Sequence, residues 1–136
     1  MSVQLIAHAL LKHQGRYLVI KRSMIKRGEV NTYPGYYDIP GGRVEYLELP
    51  RKAARRESME EVNQDVQLGA IVHEDSNVDE EKKLVFTRLV YEATLVSERP
   101  IILDPEEHSD YRWIESLKEL KDELYVPYLA ALLPKG

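Results

Sequence analysis

The stretch Gly42–Gln64, GRVEYLELPRKAARRESMEEVNQ, constrains this chain more than any other. A Pro-Gly-Gly turn (Pro40, Gly41, Gly42) opens it. Pro50 to about Val62 then runs without an internal Pro or Gly and is rich in Arg, Ala, Glu and Met, all good helix formers. Pro50 fits the first turn of a helix, where its missing N–H costs nothing. Residues three and four apart share a helix face. Glu57, Glu60 and Glu61 therefore fall within an arc of about 100° at 3.6 residues per turn. Val62 and Met59 point elsewhere and can face the core.

Three carboxylates held that close repel one another unless a cation neutralises them. Mg²⁺ or Mn²⁺ suits such a cluster, being a hard ion that takes oxygen ligands and leaves room for waters and phosphate oxygens. Arg56 cannot deprotonate, and its planar fork can hold a carboxylate at two points. Glu60, four residues on, and Glu48, in the preceding loop, are both candidates for its partner. Gly41 and Gly42 permit unusual backbone angles and let a carbonyl approach a metal closely. Taken alone, Arg56–Glu61 has the composition of a solvated helix face with i,i+4 pairs. The glycine turn and Glu48 at their offsets move the reading to a metal site.

The rest of the chain supplies a scaffold. Gln4 to Leu11 and Tyr17 to Lys21 are apolar runs joined by turn residues, which predicts a β-hairpin. Ser23 to Pro34 is expected to be a loop, and Tyr36 to Ile39 a short strand. Val66 to His73 and Leu84 to Val96 read as strands, with Asp75 to Lys83 a charged connection. Pro100 to Asp104 and Tyr111 to Ile114 are expected as short strands, with an acidic loop between them. Ser116 and Glu119 have capping-box spacing, and Pro127 fits the first turn of a last helix ending near Leu133. Strands around two or three helices predict a mixed α/β (α+β) fold, not a regular βαβ series.

At 136 residues one domain is expected, spanning residues 1–136 and able to bury a core without disulfides. The absence of cysteine excludes disulfides and thiolate metal sites. The first residues lack a signal-peptide pattern and no apolar run approaches a membrane span, so a soluble cytoplasmic protein is expected. A net charge of −4 argues against a long basic surface for nucleic acid. It leaves phosphorylated small molecules open, since bound cations attract phosphates.

The glycine, Glu48, Arg56-Glu57 and Glu60-Glu61, at these offsets, closely resemble the Nudix box, and the resemblance covers the 23 residues Gly42–Gln64. Softer likenesses lie in the hairpin ending at Lys21-Arg22, in Tyr37-Asp38-Ile39, and in Tyr111-Arg112-Trp113-Ile114. The resemblance implies a mixed sheet sandwiched between helices and hydrolysis of a nucleoside diphosphate linked to another group. It implies Glu57, Glu60 and Glu61 as metal ligands, joined by a backbone carbonyl of Gly41 or Gly42. The chain departs from the pattern at Leu47, where relatives carry Gly, at Ser58, at Asn63, where they carry Gly, and at Gln64. Asn tolerates the left-handed conformation that ends helices. Gln64 is harder to explain, and Val66 is expected to supply the missing apolar contact.

Weaker signals surround this centre. Many relatives place a glutamate in a late loop, as metal ligand or base, and Glu107 is preferred here over Glu106, with an ordinary acidic loop as the equal alternative. His8, His13, His73 and His108 show no metal-ligand spacing, and His108 is expected at the surface despite its acidic neighbours. Arg22 could touch a phosphate or simply end a strand, Tyr33, Tyr36 and Tyr37 read as packing aromatics, and Lys26-Arg27 as loop charge. The expected activity is metal-dependent hydrolysis of a diphosphate linkage, with Glu57 or Glu107 as base, Arg56 positioning, and metal at Gly42, Glu57, Glu60 and Glu61. A nucleoside triphosphate cleaved to monophosphate and pyrophosphate is the favoured substrate. Nucleotide sugars, dinucleoside polyphosphates, capped RNA, or a non-catalytic nucleotide sensor are the alternatives. The substrate partner is a nucleotide or another diphosphate-containing small molecule, with no membrane; the resemblance also keeps a homodimer open.

Overall fold

Gln14 and Gly15 both adopt positive φ, 51° and 77°. That is the backbone of a type I′ turn, and it folds β1 (Ser2–His13) directly onto β2 (Arg16–Arg22). The computed structural model describes residues 2–136. A second two-residue turn, Arg27 and Gly28 at φ 52° and 82°, makes a small hairpin of β3 (Ile25–Lys26) and β4 (Glu29–Val30) where a loop was expected. β5 (Tyr37–Asp38) and β6 (Gly41–Arg43) lead to α1 (Pro50–Val62), whose bounds match the expected ones. Then come β7 (Val66–Asp79), β8 (Leu84–Leu95), β9 (His108–Ile114), a 3₁₀ turn (Leu117–Leu120) and a short α2 (Leu129–Leu132).

The main sheet has seven strands in the order β5-β2-β1-β8-β7, with β6 also beside β1 and β9 beside β2. β1 runs parallel to β8 from Ser2↔Leu84 to Leu11↔Ala93, and antiparallel to β6 from Ile6↔Arg43 to His8↔Gly41. Strand alternation sends its side chains to two layers. Ala7, Ala9 and Leu11, with Leu18 and Ile20, belong to the clusters that α1 joins through Ala53, Ala54 and Val62. Leu10, Val19 and Val90 pack with Leu117, Leu120, Val126 and Leu129 on the other side. The sheet thus lies between α1 and the C-terminal segments, as expected, although those segments form only single turns.

Other expectations need correction. β7 continues through Asp79, across most of the charged connection, because its polar residues find cross-strand partners: Asp75 accepts from Arg88 at 2.7 Å and Ser76 meets Thr87 at 2.9 Å. Pro100–Asp104 is not a strand, although Ile101 and Leu103 pack on the core. Met59 is exposed, not core-facing, and the buried face of α1 includes Ser58 and Glu61.

The exit of α1 resolves the unusual residues there. Asn63 takes the left-handed conformation, φ 60° and ψ 35°, and its N–H donates to the Met59 carbonyl at 3.0 Å, an αL-type end, while Gln64 N–H reaches the Ser58 carbonyl at 3.3 Å. Gln64 is buried, and its amide donates to the Arg99 and Pro100 carbonyls at 3.0 and 3.3 Å. A loop backbone therefore takes up the polar side chain where an apolar contact was expected, while Val66 does enter the core. Ser58 Oγ donates to the Ala54 carbonyl at 2.9 Å.

Candidate active site

Two neighbouring acidic groups occupy the edge of α1 that faces β6. In the first, Arg56 is the organiser. Its Nε and Nη2 donate to the two Glu48 oxygens at 2.8 and 3.0 Å, and Nη1 donates to Glu57 and Glu60 at 3.0 and 3.1 Å. Nη2 also reaches the Arg43 carbonyl at 3.2 Å. Both candidate partners of Arg56 are therefore real, with Glu57 in addition. The hydrogen bond from Arg56 holds the Glu48 carboxyl below its usual range. Burial pushes the Glu57 carboxyl up in spite of the same arginine, and Glu60 and Glu107 add to the rise.

The second group is buried. Glu61 Oε1 accepts the Gly41 N–H at 2.8 Å, while its Oε2 faces His108 Nδ1 at 3.7 Å. Desolvation drives the Glu61 carboxyl well above its ordinary value, and Glu57 is the next cause. Ligand atoms of Glu61, Glu107 and His108 all lie within 4.8 Å of one another. Lys26 Nζ sits 3.0 Å from Glu107 Oε1, so this lysine is more than loop charge. His108 is 4% exposed, against the expected surface position. Burial lowers its imidazole pKa to about 4, which leaves the ring neutral near pH 7.

The glycine pair makes this closeness available. Neither Gly41 nor Gly42 uses a positive φ, so the permissive backbone angles expected of them are not used. What matters is the missing Cβ. At Gly42 one would lie 2.7 Å from the Glu57 carboxylate, and at Gly41 it would run into the His8 ring and the Ala7 carbonyl. A departure from the box pattern is visible here too: Leu47, where relatives carry Gly, stands at φ 62°.

Behind the glycines lies a polar network absent from the sequence reading. His8 Nδ1 meets the Ile39 carbonyl at 3.2 Å, and Arg88 donates to His8 Nε2 at 3.3 Å. The Arg88 guanidinium lies 3.9 Å from the Tyr128 ring centre, and the Tyr128 hydroxyl donates to Asp38 Oδ1. Arg22 completes the set, bound to Asp38 at 3.1 Å and to the Thr32 carbonyl at 2.7 Å. Arg22 thus braces a buried carboxylate. Tyr37 belongs to the core, and Tyr33 and Tyr36 pack on each other. The β1–β8 pairing assembles this network from distant segments, which is why no local spacing announced it.

A mixed sheet, a carboxylate-lined helix and a glycine strand pressed against its acids define a phosphoanhydride hydrolase of the Nudix fold. The NUDIX domain family matches residues 4–135, and the chain belongs to that family. The fold is similar to that of a MutT protein from Methanosarcina mazei, with a TM-score of 0.76, 24% identity, and coverage of 96% of this chain and 89% of the other. A MutT NUDIX hydrolase from Burkholderia pseudomallei matches at TM-score 0.68 and 26% identity over 93% and 90% of the two chains. A C. elegans Ap4A hydrolase matches at TM-score 0.67 and 19% identity over 93% and 91%. No curated protein matches the sequence.

Proposed function

We propose that this protein is a divalent-cation-dependent hydrolase that cleaves nucleoside triphosphates to the monophosphate and pyrophosphate. The observation that carries the reading is the pressing of Glu57 and Glu61 against the Cβ-free strand Gly41–Gly42, where burial raises both carboxyls. Such carboxylates are costly to keep charged without a cation. The donor set fits Mg²⁺ or Mn²⁺, with Glu57, Glu60 and Glu61 as the residues that would hold it. A bound cation supplies polarisation of the phosphoryl oxygens and offsets charge on the leaving phosphate.

The chain's own groups divide the remaining work. Glu57, held beside the other helix glutamates by Arg56, is the first candidate to take the proton of the attacking water. Glu107 is the second candidate, with one oxygen already held by Lys26. Arg56 keeps Glu57 and Glu60 oriented without entering the chemistry. Gly41 N–H fixes the Glu61 carboxylate. Every glutamate of the box is present, which argues against a non-catalytic sensor.

Dinucleoside polyphosphates are a second reading, favoured by the likeness to an Ap4A hydrolase. A product assay on a nucleotide panel with Mg²⁺ separates the two. Pyrophosphate release from triphosphates, abolished by EDTA, is the expected result. Activity in a metal-stripped sample would sink the mechanism, and cleavage of dinucleoside polyphosphates alone would sink the substrate.

A further inference from the structure

We propose that His108 is a nitrogen ligand, completing with Glu61 and Glu107 a mixed imidazole–carboxylate cation site that favours Mn²⁺ or Co²⁺ over Mg²⁺. The inference rests on the cation-dependent reading above and adds a residue and a selectivity to it.

His108 opens β9, and its position is fixed by backbone. Both Glu107 N–H and His108 N–H donate to the Asp104 carbonyl at 2.9 Å. The pairing of β9 with β2 steps from Lys21↔Asp110 to Arg22↔His108, leaving Ser109 as an extra residue on β9, a bulge of the kind that re-aims a side chain. The ring is 4% exposed, and its Nδ1 has no hydrogen-bond partner among the described residues. Buried polar atoms in native proteins are nearly always partnered by protein, water or an ion. The atom facing this one is Glu61 Oε2 at 3.7 Å, too far for a hydrogen bond. It is not too far for a shared ion. Twice a metal–ligand bond of about 2.1 Å exceeds 3.7 Å, so one cation can touch both atoms. Glu107 brings a third ligand atom within 4.8 Å. Its other neighbour, the Lys26 ammonium at 3.0 Å, holds one oxygen, and an incoming cation shares that carboxylate or displaces the lysine.

Donor chemistry sets the selectivity. Mg²⁺ takes oxygen and dehydrates reluctantly, whereas imidazole suits later divalent metals, whose affinity rises along the Irving–Williams order. A site made only of the helix glutamates would lack that bias.

The test uses Mn²⁺ as probe on the whole chain. The free-ion paramagnetic resonance signal measures binding, and spin-echo modulation from ¹⁴N reports a directly bound imidazole. Expected are ¹⁴N modulation in the wild type, its loss in His108→Gln, and a fall in Mn²⁺-over-Mg²⁺ preference of at least about tenfold in that variant. Mn²⁺ bound without ¹⁴N modulation in the wild type overturns the assignment whether or not the variant folds, as does modulation that survives in His108→Gln. A free-ion signal undiminished by protein overturns the cation-dependent reading itself, and this inference with it.

Discussion

Arg56 grips Glu48 at two points, Nε to Oε2 at 2.8 Å and Nη2 to Oε1 at 3.0 Å, from eight residues further along the chain. One guanidinium thereby locks the loop before α1 onto the helix while its third nitrogen steadies Glu57 and Glu60. The arginine acts on the site through the glutamates that it holds.

Arg56→Lys cannot reproduce this fork, because an ammonium is a single point of attachment. We expect a loss of about 1–2 kcal/mol of stability, the scale for charged hydrogen bonds at a partly exposed site. Divalent-cation affinity and turnover should fall with it. Denaturant melts and a calorimetric metal titration check this. Unaltered metal affinity with a raised KM would place Arg56 on the substrate instead.

Glu57→Gln keeps the side-chain volume and removes the charge. Turnover should drop by roughly 10²–10⁴-fold, the scale for a positioned acid–base group. The metal-free melting temperature should hold or rise. Wild-type turnover in this variant would defeat the assignment of Glu57, and steady-state kinetics with a parallel melt decide it.

Glu61 is raised by burial, so its contribution to stability is full below the unfolded carboxylate value near 4.3 and is lost as pH rises through the folded value. His8 and His108 are lowered, so theirs is full above about 6.5 and is lost as pH falls. Subtracting the wild-type melting curve from that of Glu61→Gln, both in EDTA, cancels the His8 part, and above about pH 6.5 the part of the neighbouring His108 as well, since that ring is then neutral folded and unfolded. The remaining advantage of the variant should widen from pH 5 to 8 and reach at least about 2 °C. Excess Mg²⁺ should close the gap. A difference that stays flat or narrows with pH would mean that the Glu61 charge is not destabilising.

Leu47 bears a left-handed backbone, φ 62°, and is almost fully exposed. A side chain there gains no packing and carries the steric cost that glycine avoids. Leu47→Gly should stabilise the protein by about 1 kcal/mol without changing turnover. Chemical denaturation measures it, and a destabilised variant would show that the loop conformation is held by something other than backbone preference.

What the sequence could reveal followed from the reach of its signals. α1 was legible to the residue because Pro50 starts it and Asn63 ends it locally. The contact of Arg56 with Glu60 was legible because helical spacing brings these residues together. The β3–β4 hairpin was missed although Arg27-Gly28 is a strong two-residue turn signal, since its strands are only two residues each. The burial of His108 and the His8–Arg88–Tyr128–Asp38 network were illegible, because they depend on which strands become neighbours. The extension of β7 was hidden for the same reason: Asp75 looks like loop until Arg88 is known to lie across from it.

The parallel run of β1 against β8 also governs when this protein can come into being. Residues 2–11 find their partners at residues 84–93, so β1 has no permanent neighbour on that edge until some eighty further residues have been synthesised. Its own hairpin with β2 covers little more than the turn, at Lys12↔Tyr17 and His13↔Arg16. Pairings of such long sequence separation are slow to form, and an apolar strand that waits for them is open to association with other nascent chains. The helix that carries the acids is synthesised during that wait, and the sheet against which it must pack closes only once β8 has emerged.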